Sequence, residues 1–285
     1  MKKTASAVSR TRKYKALTPA RVRAFQKKIY TYYDTHGRDL PWRKTRNPYR
    51  ILISEIMLQQ TQVDRVIDKY QAFISTFPDF PALAKAQLKK LLSVWQGMGY
   101  NRRALALRKL AIRVMDDYYG KLPSDPELLI DLPGIGKYTV GAVSAFAFNK
   151  PVVFMDTNIR RVFIHEFFQD RENIHDNEII PLVERTVDTI NPGKWYNALM
   201  DYGAMLKKEQ GNPNKRSAHY TRQSPFENSN RQVRGNILKV LVNEPLLSAS
   251  QIVVKTGMDA ERVRKNLDQL EKEGFIKKKK RTYLI

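Results

Sequence analysis

Between Pro19 and Leu206 the apolar residues recur at spacings of three and four, and alternating stretches are scarce, so this span is restricted to helices. ALAKAQLKKLLSVW and RRALALRKLAIRVMDDYYG each carry one apolar stripe. Turn signals separate the helical runs: Gly97 and Gly99, Gly120 ahead of Leu122-Pro123, Pro133-Gly134 with Gly136, and Asn191-Pro192-Gly193. Ahead of the span, residues 1–18 form a basic arm expected to be flexible, and Thr18 before Pro19 can cap the first helix. Lys207 to Asn230 is polar, basic and broken by Gly and two Pro, which predicts an irregular connector. From Arg231 to Ile285 helices are expected at ILKVLV, SASQIVVKTG and MDAERVRKNLDQLEKEG. FIKKKKRTYLI then reads as strand, basic turn and strand, the pattern of a winged helix.

A chain of 285 residues with 42% hydrophobic content can bury a full core and has room for two domains. Its formal charge of +23 points to a polyanionic partner, most often nucleic acid. No window approaches the roughly 20 apolar residues of a membrane span. MKKTASAVSRTRKYKALTP has the charges of a signal peptide without its apolar segment. The expectation is a protein that is not secreted and works in the cytoplasm on the nucleoid, or in a nucleus. The chain has no cysteine, which rules out disulfides, thiolate chemistry, Cys-type zinc fingers and iron–sulfur clusters. The four His are not at metal-ligand spacing.

Two acids stand out. In SEIMLQQTQV, Glu55 shares a helix face with Ile51, Leu52 and Leu58, an expensive setting for a charge. Either it reaches solvent or a partner, or its pocket favours the protonated form and lets it deliver a proton at neutral pH. In NKPVVFMDTNIRRVF, Asp156 ends an apolar run and can cap the next helix, where the helix dipole and nearby N–H groups are expected to keep it ionised. Two carboxyls driven apart in this way suit glycosidic-bond cleavage, one as acid and one as anion beside an oxocarbenium-like centre. Between them lies DLPGIGKYT, a tight turn without bulky side chains opening a helix, which aims N–H groups outward and suits a phosphate. No strand precedes it, so a dinucleotide fold is a poor reading.

LPWR, SEIMLQQTQV, WQGMGY, LPGIGKYT, MDTN and MDYGAM occur, from Leu40 to Met205, in the order and approximate spacing of the helix-hairpin-helix (HhH-GPD) DNA glycosylases. They most resemble the MutY-type adenine glycosylases. The resemblance implies an all-α, two-lobed core over residues 19–206, with double-stranded DNA carrying a damaged or mismatched pair across a cleft and the target nucleotide flipped out. It implies that Glu55 protonates the adenine leaving group and that Asp156 stabilises the cationic sugar, directly or covalently, with Asn158 and Tyr138 positioning it. Trp42, Arg43, Leu58 and Asp201 would line the base pocket. Gln60 and Thr61 would face the opposite base, Tyr100 would wedge into the stack, and Gly134, Gly136, Lys137 and Thr139 would hold a phosphate. Thr61 with Asp64 can also cap the following helix.

The chain departs from that family at three places. Tyr138 stands where the lyase members carry lysine, so a monofunctional glycosylase is expected. Leu206 stands where the first of four cluster cysteines would fall, so no iron–sulfur cofactor is expected, although a monovalent or alkaline-earth ion at the hairpin stays open. Connector residues Lys215, Arg216 and Arg222 are then candidates for phosphate contacts, against an ordinary solvated loop. Residues 231–285 match a winged helix rather than the usual Nudix-like domain. Adenine opposite 8-oxoguanine or guanine is the favoured substrate. Gln59 to Gln62 and Asp201 favour it, because a carboxylate accepts from the exocyclic amine of adenine and thymine offers a carbonyl there. A thymine- or uracil-excising relative and a non-enzymatic winged-helix DNA-binding protein are the alternatives, and a monomer is expected.

Overall fold

The computed structural model describes residues 17–222 and 224–285; all but the last two positions of the expected basic arm lie outside the described residues. In chain order the helices are α1 (Pro19–His36), α2 (Pro48–Leu58), α3 (Val63–Thr76), α4 (Phe80–Ala84), α5 (Leu88–Trp95), α6 (Arg102–Tyr118) and α7 (Pro126–Ile130). They continue as α8 (Lys137–Phe148), α9 (Thr157–Phe167), α10 (Asp176–Thr186), α11 (Pro192–Glu209), α12 (Asn230–Asn243), α13 (Ala249–Thr256) and α14 (Ala260–Lys272). Three short strands accompany the last helices: β1 (Leu247–Ser248), β2 (Lys277–Lys279) and β3 (Thr282–Leu284). The local chemistry of these boundaries is that of the sequence. Thr18 and Asn47 each accept from a backbone N–H three residues on, with Pro at the first helical position. No helix among the described residues is long and apolar enough to cross a membrane.

The chain forms two compact units. One gathers, of the described residues, 17–37, Met155–Asp188 and Lys194–His219. Its core is aromatic: Phe25 meets Phe163, Phe167 and Trp195 edge-on at 5.5, 5.1 and 5.7 Å. The stretch expected to be an irregular connector is partly ordered here. Residues 207–209 extend α11, Pro213–Arg216 is a turn of 3-10 helix, and Ile174 bridges to Ser217.

The other unit gathers Arg38–Phe154, Thr189–Gly193 and Tyr220–Ile285. A single apolar core runs from Leu40 and Trp42 through Leu52, Phe73, Trp95 and Leu110 to Ile237, Leu267 and Tyr283, so α12–α14 share a core with the helices before them. The three strands make an antiparallel sheet in the order β1-β3-β2, with Leu247 opposite Tyr283 and Lys279 opposite Thr282. The β2–β3 hairpin lies where the sequence places two strands, and β1, two residues long, leaves no alternation to read. The lysines of β2 are exposed along an edge.

Candidate active site

In α2 the residues from Tyr49 to Met57, Arg50 excepted, are buried, and Glu55 is among them at 4% exposed. The Tyr138 hydroxyl, from the first turn of α8, donates to Glu55 Oε2 over 2.7 Å. Close packing of α8 makes this reach available. Gly141 lies against Phe154, where a Cβ would come within 2.3 Å of the Phe154 Cβ, and the Phe154 ring meets Tyr138 edge-on at 5.8 Å.

The turn ahead of α8 exposes Gly134, Gly136 and Lys137. Gly134 has φ +81, and a Cβ there would approach the Ala106 Cβ to 2.8 Å, so glycine is required twice over. A Cβ at Gly136, the N-cap, would meet nothing within 4 Å, and no side chain among the described residues caps this N-terminus. The hairpin thus presents main-chain N–H groups at an open surface, the arrangement that binds an anion. Thr139 differs from the expectation: its side chain is buried, and its hydroxyl accepts from Gln59 Nε2 at 3.2 Å, so only its main chain can serve a phosphate.

Gln60 and Tyr100 both have left-handed backbone, φ 54 and 46. The guanidinium of Arg103 joins their two loops. It donates to the carbonyls of Ile56, Met57 and Gln59 at 2.8, 2.9 and 2.6 Å, to Thr61 Oγ1 at 3.2 Å, and to the carbonyls of Met98 and Gly99 at 3.0 and 3.2 Å. Three of these acceptors are at the C-terminal end of α2, where carbonyls lack helical partners. Burial pulls Arg103 down to about 10, and it stays a cation at neutral pH. Thr61 does not cap α3: its hydroxyl donates to the Gln59 carbonyl, and Gln62 holds the N-cap position. Trp42 is 7% exposed and edge-on to Tyr70 at 5.4 Å. Arg43 is half-buried and donates to the Arg38 carbonyl at 3.1 Å, and Leu58 is half-buried at the end of α2. Asp201 is buried on α11, in the first unit.

In that unit Asp156 caps α9. Its Oδ1 accepts from the N–H groups of Asn158 and Ile159 at 2.9 and 2.6 Å, and its Oδ2 from Asn158 Nδ2 at 2.9 Å. These donors favour the carboxylate, yet burial is the larger effect and pushes the carboxyl above its ordinary range. The sequence-based expectation of an acid simply held ionised by its helix is corrected here. Arg161, on the same helix and 4% exposed, fixes the group from behind. It donates to Asn158 Oδ1 at 2.8 Å, to the Gly203 carbonyl at 2.7 Å and to Asn212 Oδ1 at 3.1 Å. Gly203 is required by this packing, since a Cβ would lie 2.6 Å from the Asn158 carbonyl oxygen.

The three connector cations separate. Arg216 turns inward and donates to the carbonyls of Phe168, Gln169 and Ile164 at the end of α9, so it is removed from the set of expected phosphate contacts. Lys215 and Arg222 are exposed. Asn214 is buried and donates to the Thr157 carbonyl at 2.8 Å. Among the described residues no group of three or more His, Asp or Glu is placed to hold a metal ion. Arg103 and Arg161 are the important side chains the sequence did not reveal, since arginines on helices read as solvated charge.

A buried acid held by a tyrosine hydroxyl, beside a glycine hairpin that opens a helix at the surface, defines a helix-hairpin-helix protein of the kind that handles nucleic acid. Residues 53–184 match the model of the HhH-GPD superfamily base excision DNA repair proteins. The chain is 34% identical over 269 residues to an adenine DNA glycosylase of Mycolicibacterium smegmatis, covering 87% of this chain and 91% of that protein. To an adenine DNA glycosylase of Buchnera aphidicola it is 40% identical over 187 residues, covering 64% of this chain and 52% of that protein, so it spans about half the length of that relative. The solved structure of a thermostable thymine-DNA glycosylase superposes with a TM-score of 0.60 at 33% identity, covering 66% of this chain and 88% of that one. This chain belongs to the HhH-GPD superfamily of base excision DNA repair proteins.

Proposed function

We propose that the protein is a monofunctional DNA glycosylase that excises adenine mispaired with 8-oxoguanine or guanine. The observation that carries this reading is the buried Glu55 carboxyl fixed by the Tyr138 hydroxyl at 2.7 Å. An acid so placed can deliver its proton to a group brought to it, here a ring nitrogen of the flipped adenine. The glycosidic C–N bond then breaks, its electron pair leaves with the base, and the sugar becomes an oxocarbenium-like cation. The carboxylate assigned to stabilise this charge is Asp156, whose proton affinity, raised by burial in the free protein, falls beside a cation. Water adds to the sugar carbon and returns its proton to Glu55. No lysine amine takes part, because Tyr138 occupies the position at which a Schiff base would form, and the reaction calls for no cofactor.

Adenine is supported by the names of the relatives from Mycolicibacterium smegmatis and Buchnera aphidicola. Thymine or uracil opposite guanine is the second reading, favoured by the similarity to the thymine-DNA glycosylase structure. The partner is double-stranded DNA, to which residues 231–285, read as a winged helix, add basic surface. Single-turnover excision on duplexes carrying A opposite 8-oxoguanine, A opposite G, T opposite G and U opposite G decides between the two, with Glu55→Gln as control. Adenine release that the control loses supports the first reading. Thymine or uracil release keeps the mechanism and replaces the substrate. Efficient borohydride trapping of a protein–DNA adduct overturns the monofunctional assignment.

A further inference from the structure

Tyr100 is held by two arginines from different parts of the second unit. Gly97, Gly99 and Tyr100 have φ of 85, 67 and 46, so the loop ends on a left-handed tyrosine, a strained conformation that persists only where its surroundings enforce it. Arg103 grips the carbonyls of Met98 and Gly99. Arg231, in the first turn of α12, donates from Nη1 to the Tyr100 hydroxyl oxygen at 2.7 Å. Both guanidinium carbons lie 5.4 Å from the centre of the Tyr100 ring, within cation–π range. Arg231 is itself fixed, since its Nη2 donates to the Ser224 carbonyl at 2.6 Å, to Ser224 Oγ at 3.2 Å and to the Pro225 carbonyl at 3.2 Å.

The helices that carry Arg231 are fastened to the same surface. Glu273, just after α14, accepts from Arg102 at 2.9 and 2.6 Å and from Arg234 of α12 at 2.6 and 3.3 Å. Arg102 first, and Arg234 after it, hold the Glu273 carboxyl at about 2. A hinge at this junction would have to break both pairs and part the shared apolar core.

We propose that Arg231 is a positioning residue for Tyr100, through which α12 and the C-terminal helices set how the protein distinguishes a mispaired duplex from a matched one. The proposal rests on the reading that Tyr100 meets the base stack. A tyrosine already ordered on two cations loses less rotamer freedom on stacking than a mobile one, so its stacking strength is transmitted to the measured preference. The simpler role for Arg231, joining α12 to the loop, would affect stability and leave that preference unchanged.

The test uses the full chain in the Glu55→Gln background, so that no duplex is consumed. The ratio of Kd values for a fully paired duplex and the same duplex with A opposite 8-oxoguanine is read by fluorescence anisotropy. Arg231→Ala and Tyr100→Phe, which delete the same hydrogen bond from its two sides, are expected to reduce the ratio alike, by about fivefold for one net hydrogen bond. The double variant is expected to be no worse than either single one. Tyr100→Phe carries the test alone if Arg231→Ala does not fold. An unchanged ratio in Arg231→Ala or Tyr100→Phe, with a reduced one in Tyr100→Ala, overturns the positioning role and leaves Tyr100 at the duplex. An unchanged ratio in Tyr100→Ala overturns both, and this is separate from any failure of the glycosylase reading, which appears in the excision panel.

Discussion

Tyr138 donates its hydroxyl proton to Glu55 Oε2 across 2.7 Å, from the first turn of one helix to the buried face of another. The bond fixes the acid's orientation and leaves the carboxyl able to hold the proton it delivers, after which the same hydroxyl donates to a carboxylate. Tyr138→Phe is expected to retain DNA affinity and to lower single-turnover excision by roughly 10- to 100-fold, the worth of one hydrogen bond to a charged group. Glu55→Gln is expected to lose on the order of 100- to 10,000-fold, the range for a general acid. Wild-type excision by Tyr138→Phe would reduce the tyrosine to a packing residue against Phe154.

Asp156 makes a different prediction because its carboxyl lies above its ordinary range. Between the reference value of 3.8 and the raised folded value, the native state keeps a proton that the unfolded chain has released. Stability therefore falls as pH rises through that window, so burial of this carboxyl costs stability at pH values above the reference value. Asp156→Asn retains an oxygen to cap α9 and removes the charge. Its Tm is expected to exceed that of the wild type at pH 7, with the difference shrinking as pH is lowered toward 3.8, while excision is lost. Equal Tm values at pH 7, measured by scanning calorimetry, would show that the carboxylate is not penalised by burial.

The sequence is legible where the physics is local. Helix starts at Thr18 and Asp156 follow from side chains that reach two or three residues along the chain, and of the two settings that the apolar neighbours of Glu55 leave open, the structure has the buried one. Where partners come from afar, the reading is incomplete or wrong. The carbonyl of Gly203 and the amide of Asn212 are what bury Arg161, and neither is marked by periodicity. The contact of Trp42 with Tyr70, from another helix, is likewise unmarked by spacing. Arg216 looks like any loop cation until the end of α9 supplies three carbonyls for it. The rise at Asp156 has the same origin, because capping is local and burial is not.

Arg161 tests how much the first unit depends on such distant acceptors. Replacing it by Met fills much of the volume and leaves the Gly203 carbonyl, Asn158 Oδ1 and Asn212 Oδ1 without this donor. Orphaned buried acceptors cost about 1–3 kcal/mol each, and breaking a buried charged network typically costs 3–5 kcal/mol in all. The expected outcome in urea unfolding is an unfolding free energy lower by about that amount, with a lower midpoint. Arg161→Lys should recover little of the loss, since one ammonium does not reproduce a planar fork. An unfolding free energy within about 0.5 kcal/mol of the wild type for Arg161→Met would show that the network carries no stability.

Gly141 within α8 and Gly136 at its N-cap separate structure from function. A Cβ at Gly141 would fall 2.3 Å from Phe154, so Gly141→Ala must displace that ring and the tyrosine packed on it. Overpacking of this kind costs about 1–3 kcal/mol and should lower both Tm and excision. At Gly136 a Cβ meets nothing within 4 Å and φ is −114, so Gly136→Ala should cost no more than about 1 kcal/mol of stability. Its added methyl instead projects at the open hairpin, where a phosphate would approach the N–H groups. DNA affinity is expected to fall severalfold, with a shallower salt dependence if one phosphate contact is lost. Affinity and salt slope unchanged in Gly136→Ala would mean that the hairpin is not the phosphate site, however well its geometry suits one.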